Sequence, residues 1–268
     1  MLLRLTPYLT PSLSRHCYHL KGKGAKSCVR QLQQAVNHYR YVCRSDVDSY
    51  YASIDQTILL QQLKQHVTDE GLLALLKRAL ERVDDHDGLL NWQTVGLSKG
   101  SPLSPLLGAL YLQEMDQSLG GYCEARGLQY YRFMDDWIVL CQTRRQLRHV
   151  VKLMNQSLAK VKQTKHPFKT YIGRIKETGF DFLGYRFTPN RALTPAWATI
   201  AKHRSKLLRL YEQGASLQRV AEYVKRWVIW VNSGVNQVVM NSELDLVCEI
   251  FNGRVLVNDV SALLNLIR

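Results

Sequence analysis

Two adjacent carboxylates, Asp135 and Asp136, lie inside the apolar run Arg132-Phe133-Met134-Asp135-Asp136-Trp137-Ile138-Val139-Leu140. Tyr130 to Met134 and Trp137 to Gln142 read as short strands, and only the two acids separate them. The pattern predicts a β-hairpin with both carboxylates at its tip. Asp-Asp is a poor hairpin turn, which usually includes Gly, so function explains it more easily than folding does. Asp46 closes another strand-like run, Tyr41-Val42-Cys43-Arg44-Ser45-Asp46-Val47. Three carboxylates meeting on rigid elements suit Mg²⁺, which takes hard oxygen ligands and keeps several waters. Two such ions can clamp the attacking and leaving oxygens of an in-line phosphoryl transfer. Taken alone, Asp-Asp reads as a solvated turn. The apolar strands on both sides argue instead for a hairpin buried in a sheet.

The elements that must position these acids follow from periodicity. Helices are predicted from Ser27 to about Tyr39, from Gln56 to about His66 and from Glu70 to about Arg82, the last capped by Thr68 or Asp69. Asp84 to Gly88 reads as a turn and Leu89 to Gly96 as extended. Ser104-Pro105 opens an apolar helix to Leu112, since Pro is tolerated in a first turn. A basic helix runs from about Arg145 to Val161, then an extended stretch over Gly179 to Phe187, then two helices around Gly214. Residues 235–268 read as helical or mixed.

The chain of 268 residues is 46% hydrophobic and 22% charged, enough to bury a core. Net charge is +14, and the surplus is local: residues 141–226 hold 19 Lys/Arg against 4 Asp/Glu. A block of that sign points to a polyanionic partner, without separating RNA from DNA. The six cysteines show no CxxC spacing. They read as reduced thiols of a cytoplasmic protein rather than as a disulfide framework or zinc site. No apolar run has transmembrane length, and the start lacks the features of a signal peptide.

Five blocks in order carry a resemblance to bacterial reverse transcriptases of the group II intron and retron-like class. They are Asp46-Val47-Asp48-Ser49-Tyr50-Tyr51-Ala52-Ser53-Ile54-Asp55, then Gly96-Leu97-Ser98-Lys99-Gly100-Ser101-Pro102-Leu103-Ser104-Pro105-Leu106-Leu107, then Phe133-Met134-Asp135-Asp136, Lys169-Thr170, and Gly179-Phe180-Asp181-Phe182-Leu183-Gly184-Tyr185. The match covers roughly residues 15 to 190. It implies an α+β fold, a right-hand polymerase palm of antiparallel sheet and packed helices, with reduced fingers and a helical thumb. The expected divisions are partial fingers over 1–45, palm over 46–190, and thumb with a C-terminal segment over 191–268. Asp46, Asp135 and Asp136 would be the catalytic metal ligands, joined by the Val47 carbonyl, for two Mg²⁺ ions or Mn²⁺. Tyr51 would be the steric gate against a 2′-OH, and Tyr50 the core ring. Lys21, Lys23, Lys99, Gly100 and Lys169 would handle nucleotide, and Phe182, Leu183 and Gly184 would grip the primer. Lys99 departs from the family, which usually has Gln there; Lys cannot accept a hydrogen bond.

The implied activity is RNA-directed DNA synthesis from dNTPs on an RNA template with a DNA or RNA primer, aided by a dedicated non-coding RNA or accessory protein and independent of a membrane. Two alternatives stay open: a template-independent nucleotidyl transferase on the same palm, and an RNA-binding maturase-like module with vestigial polymerisation.

Overall fold

The computed structural model describes residues 1–20, 22–98 and 100–235. The chain divides into two compact units, one of Met1–Cys28 with His38–Arg174, the other of Val29–Asn37 with the residues from Ile175 onward.

In the first unit, α1 (Leu2–Leu9) is followed by α2 (Ala25–Ala35), whose later residues belong to the second unit. Next come β1 (Tyr41–Asp46), the single turn α3 (Tyr50–Ser53), α4 (Gln56–Lys64) and α5 (Glu70–Leu80). Asp55 and Asp69 cap α4 and α5, their side chains accepting from Thr57, Ile58 and Leu72 N–H groups. β2 (Arg82–His86) and β3 (Leu89–Gln93) form a hairpin. Its turn, Asp87-Gly88, has positive φ at both residues, the demand of a type I′ turn that this pair meets. The expected helix end and turn over this stretch is thus corrected to a strand. Then follow α6 (Ser104–Tyr111), α7 (Gln113–Glu124), β4 (Gln129–Phe133), β5 (Asp136–Cys141), α8 (Arg144–Lys160) and β6 (Tyr171–Arg174).

The sheet order is β4-β5-β1-β6, with all pairs antiparallel. Period-two alternation divides its residues between two faces. Tyr130, Trp137, Val139, Cys141 and Cys43 join Met115, Leu119, Val150 and Met154 of α7 and α8 in the core. The alternate residues of β1 and β5, Arg44, Asp46, Asp136 and Ile138, face the other way. A capping box from Thr143 and Gln146 starts α8.

The second unit holds β7 (Phe180–Phe182), β8 (Tyr185–Phe187), β9 (Thr194–Pro195), α9 (Trp197–Glu212) and α10 (Leu217–Asn232). The single extended stretch expected over Gly179 to Phe187 is a tight hairpin, turned by Leu183-Gly184 with both φ positive. Leu207, Leu210, Val220 and Val224 join α9 to α10. Trp227 stacks on His203 at 3.9 Å, packing within the helix pair. Cys17, Cys28, Cys43, Cys123 and Cys141 are free and buried. Among the described residues no helix is long and apolar enough to cross a membrane. Residues 236–268, expected helical or mixed, lie outside the described residues.

Candidate active site

Asp46 ends β1, and Asp136 begins β5 directly opposite it. Cross-strand partners on one face have Cβ atoms about 5 Å apart, so these carboxylates share a row. Asp135 precedes them in the turn, and its carbonyl accepts the Val47 N–H at 3.3 Å, tying the hairpin to the residue after Asp46. The expected tip is corrected by one residue. Phe133 pairs with Asp136, so the turn is Met134-Asp135. The shift is possible because Met134 adopts φ +56°, a left-handed conformation uncommon for a side chain of its size.

That turn has a dedicated support. Arg132 is fully buried, and its Nε and Nη2 donate to the two oxygens of buried Asp116 at 2.7 and 2.5 Å. Its Nη1 donates to the Met134 carbonyl at 2.7 Å, and the Tyr130 hydroxyl donates to the same Asp116 at 2.6 Å. On the other side the Met134 N–H donates to His19 Nδ1 at 2.9 Å, while His19 Nε2 lies 3.0 Å from the Pro105 carbonyl. Burial, then the Arg132 charge, hold His19 down to about 4. The neutral ring therefore carries its proton on Nε2 and accepts at Nδ1. His16 to Tyr18 runs along β4: the Tyr18 N–H donates to the Arg132 carbonyl at 2.7 Å, and the Arg132 N–H to the His16 carbonyl at 2.9 Å. The sequence assigns none of His19, Asp116 or Arg132 to the support of this turn; His19 stands out there only for its closeness to His16 and Cys17, too few ligands for a metal site. The available signal was a charged residue at an inward position of an apolar strand.

The three carboxylates crowd one another. Burial, then the Asp46 charge, push Asp135 up to about 6. Burial, then Asp46 and Asp135, push Asp136 up to about 7, against the pull of Arg44 and Lys169. Asp46 is 3% exposed, and its Oδ1 is buried with no hydrogen-bond partner among the described residues. Its Oδ2 accepts from the Lys169 ammonium, whose pKa this bond raises. Among the described residues, no three His, Cys, Asp or Glu side chains already surround a point as metal ligands.

These shifts carry a sign. Carboxyls with raised pKa values hold protons in the fold where the unfolded chain has released them, so stability declines as pH rises toward about 7. Without divalent cations, Asp136→Asn is expected to raise Tm at pH 8 by roughly 3–5 °C, on the order of 1.4 kcal/mol. The gain should shrink toward acid pH. Melting curves across pH test this, and a gain independent of pH would count against it.

Tyr51 lies in α3 against Tyr50, ring centroids 5.1 Å apart. Tyr50 is the core ring, 2% exposed, its hydroxyl donating to the Gly108 carbonyl at 2.5 Å. A Cβ on Gly108 would approach both rings to 3.2 Å, so glycine there lets them nest on α6. Burial, then the Asp135 charge, push the Tyr51 hydroxyl up to about 12. That hydroxyl has no partner among the described residues.

Lys23 is engaged locally, bonded to the Arg15 carbonyl, with its ammonium 5.2 Å from the Tyr18 ring centroid. Gly100 is exposed with φ +83°. Lys21 and Lys99 lie outside the described residues. Phe182 ends β7, and Leu183 and Gly184 form the second unit's hairpin turn; the Gly184 carbonyl accepts from Thr199 Oγ1 and the Ala196 N–H, both at 2.9 Å.

A family model described as reverse transcriptase (RNA-dependent DNA polymerase) matches residues 2–187. Protein YkfC of Escherichia coli is 28% identical over 80 residues, covering 30% of this chain and 21% of that protein. The putative COX1/OXI3 intron 2 protein of Saccharomyces cerevisiae is 28% identical over 98 residues, or 35% of this chain and 11% of that one. The matched segments are thus small parts of both relatives. Among solved structures, apo telomerase from Candida tropicalis aligns with TM-score 0.58 at 12% identity, covering 100% of this chain and 53% of that one. Telomerase from Candida albicans with a fragment of telomeric RNA aligns with TM-score 0.57 at 11% identity, covering 99% and 54%. At these identities the likeness is one of fold.

Proposed function

The chain belongs to the reverse transcriptase (RNA-dependent DNA polymerase) family, and on that premise we propose that it extends a primer with dNTPs on an RNA template. The observation that carries this is the carboxylate row: Asp46 opposite Asp136, with Asp135 in the turn bonded to Val47.

The donor set suits a divalent cation. Asp46 Oδ1 is buried with no partner among the described residues, and burial together with the neighbouring Asp46 charge raises Asp135 and Asp136, a crowding that a cation would relieve. Asp46, Asp135 and Asp136 would hold two Mg²⁺ ions, with the Val47 carbonyl beside them. Bound there, the ions would neutralise charge on the attacking and leaving oxygens of the phosphoryl group. The chain's own groups do the rest. Arg132 and His19 fix the turn that presents Asp135. Lys169 stays charged next to Asp46 and can bind or protonate the departing pyrophosphate. The basic block over residues 141–226 suits a nucleic-acid backbone, which such cations hold without reading its sequence. We assign residues 1–45 to partial fingers, 46–190 to the palm and 191–268 to a helical thumb with a C-terminal segment. In this reading the Phe182-Leu183-Gly184 turn steadies the primer.

Tyr51 supports deoxynucleotide selection, since a ring at the sugar would collide with a 2′-OH. Tyr51→Ala is expected to raise rNTP use relative to dNTP by about tenfold or more, read as the ratio of kcat/KM values. An unchanged ratio would remove Tyr51 from the gate.

Primer extension on an RNA template, with each dNTP alone and with all four, tests the function. Template-complementary products support it. Incorporation without template would point to a nucleotidyl transferase, and RNA binding with no incorporation to an RNA-binding module.

A further inference from the structure

The loop between α8 and β6 displays a phenylalanine that folding does not use. Phe168 is 93% exposed, in the otherwise polar run Thr164-Lys165-His166-Pro167-Phe168-Lys169-Thr170. A ring left in water forgoes the transfer free energy that burial would recover.

The ring is not on a loose tip. The His166 N–H donates to the Asp46 carbonyl at 2.7 Å, and the Asp48 N–H to the Thr164 carbonyl at 2.9 Å. Thr170 Oγ1 donates to the His166 carbonyl at 2.7 Å, closing the loop into an arch, and lies 2.7 Å from Ser45 Oγ. Lys169 bonds to Asp46 Oδ2. Within the arch the Phe168 N–H donates to His166 Nδ1 at 3.3 Å, and the two rings meet edge-on at 6.2 Å. Both ends of the arch are therefore tied to β1, the strand that ends in Asp46. The run carries Lys165 and Lys169 and no acid, a setting that favours a ligand combining a flat apolar face with phosphate.

We propose that Phe168 is a stacking platform for a nucleobase held at the carboxylate site. The proposal rests on the reading above in taking nucleotides as what these carboxylates handle. Every base has a π-face, so an aromatic platform adds affinity without fixing sequence. The base would come either from the incoming dNTP or from the primer–template, and the arms of one experiment separate these sources.

The full chain and its Phe168→Ala, Phe168→Leu and Phe168→Trp variants are compared in two measurements. Fluorescence anisotropy gives Kd for a fluorescein-labelled DNA primer on an RNA template, without dNTP. Primer extension at saturating primer–template gives KM for dNTP. Loss of one stacked base is worth about five-fold to about a hundred-fold. Phe168→Ala and Phe168→Leu are expected to show that loss, and Phe168→Trp to match wild type, with melting temperatures unchanged because the ring is exposed. A rise in Kd assigns the base to the primer–template; a rise in KM at constant Kd assigns it to the incoming nucleotide. Wild-type values for Phe168→Ala in both measurements, or for Phe168→Leu, would overturn the platform. Should the wild type extend nothing, the polymerase reading fails and anisotropy alone decides: weaker binding by Phe168→Ala upholds the platform, and unchanged binding sinks it.

Discussion

Replacing Asp135 and Asp136 together by Ala is expected to lower dNTP incorporation by more than about 10³-fold and to leave the fold intact. The two effects separate because the side chains burden the metal-free fold. Both carboxyls are raised by burial and by neighbouring Asp46, so removing them relieves like-charge crowding. The contacts that shape the turn are made by backbone: the Asp135 carbonyl accepts from Val47, the Met134 carbonyl from Arg132, and the Met134 N–H donates to His19. None of these needs an acid at 135 or 136. Binding of labelled primer–template should persist, since it depends on cations elsewhere. Primer extension, anisotropy and thermal melts on the same preparation check all three statements. Incorporation within about tenfold of wild type would mean that this carboxylate row is not the catalytic centre.

Much of this site was legible because strand chemistry has period two. A run of apolar residues ending in Asp46 and another interrupted by Asp135-Asp136 can share a sheet in few ways, and the antiparallel register does set Asp46 opposite Asp136. What failed was the one-residue position of the turn. Met134 carries no local sign that it will take φ +56°; its conformation is held by Arg132 and by His19, which lies 115 positions away. The hairpin at Leu183-Gly184 failed similarly, because only one of its two left-handed residues is a glycine. At Asp87-Gly88 the turn signal was present, but the polar run Arg82-Val83-Asp84-Asp85-His86 hid the strand before it. The bond from Lys169 to Asp46 spans 123 positions, beyond what a local pattern can state.

Arg132→Met is expected to be the most destabilising single change in the palm, costing about 3–5 kcal/mol, which is roughly 10 °C in Tm. The substitution leaves Asp116, 1% exposed, as a buried charge without its partner. It also strands the acceptor at Met134, which loses the 2.7 Å bond from Nη1. Adding Asp116→Leu separates these effects. An apolar pair of similar volume removes the buried charge and often restores stability, though the Tyr130 hydroxyl then loses its 2.6 Å acceptor. The double variant should therefore melt closer to wild type. Incorporation should nevertheless stay low, by about 10²-fold, because the turn carrying Asp135 has lost the donor that helps hold Met134 in a left-handed conformation. Primer–template affinity should be unaffected, so the loss should fall on kcat. Recovery of both stability and kcat would reduce the Arg132–Asp116 pair to packing. Recovery of stability alone identifies Arg132 as the residue through which the core positions the turn that carries Asp135.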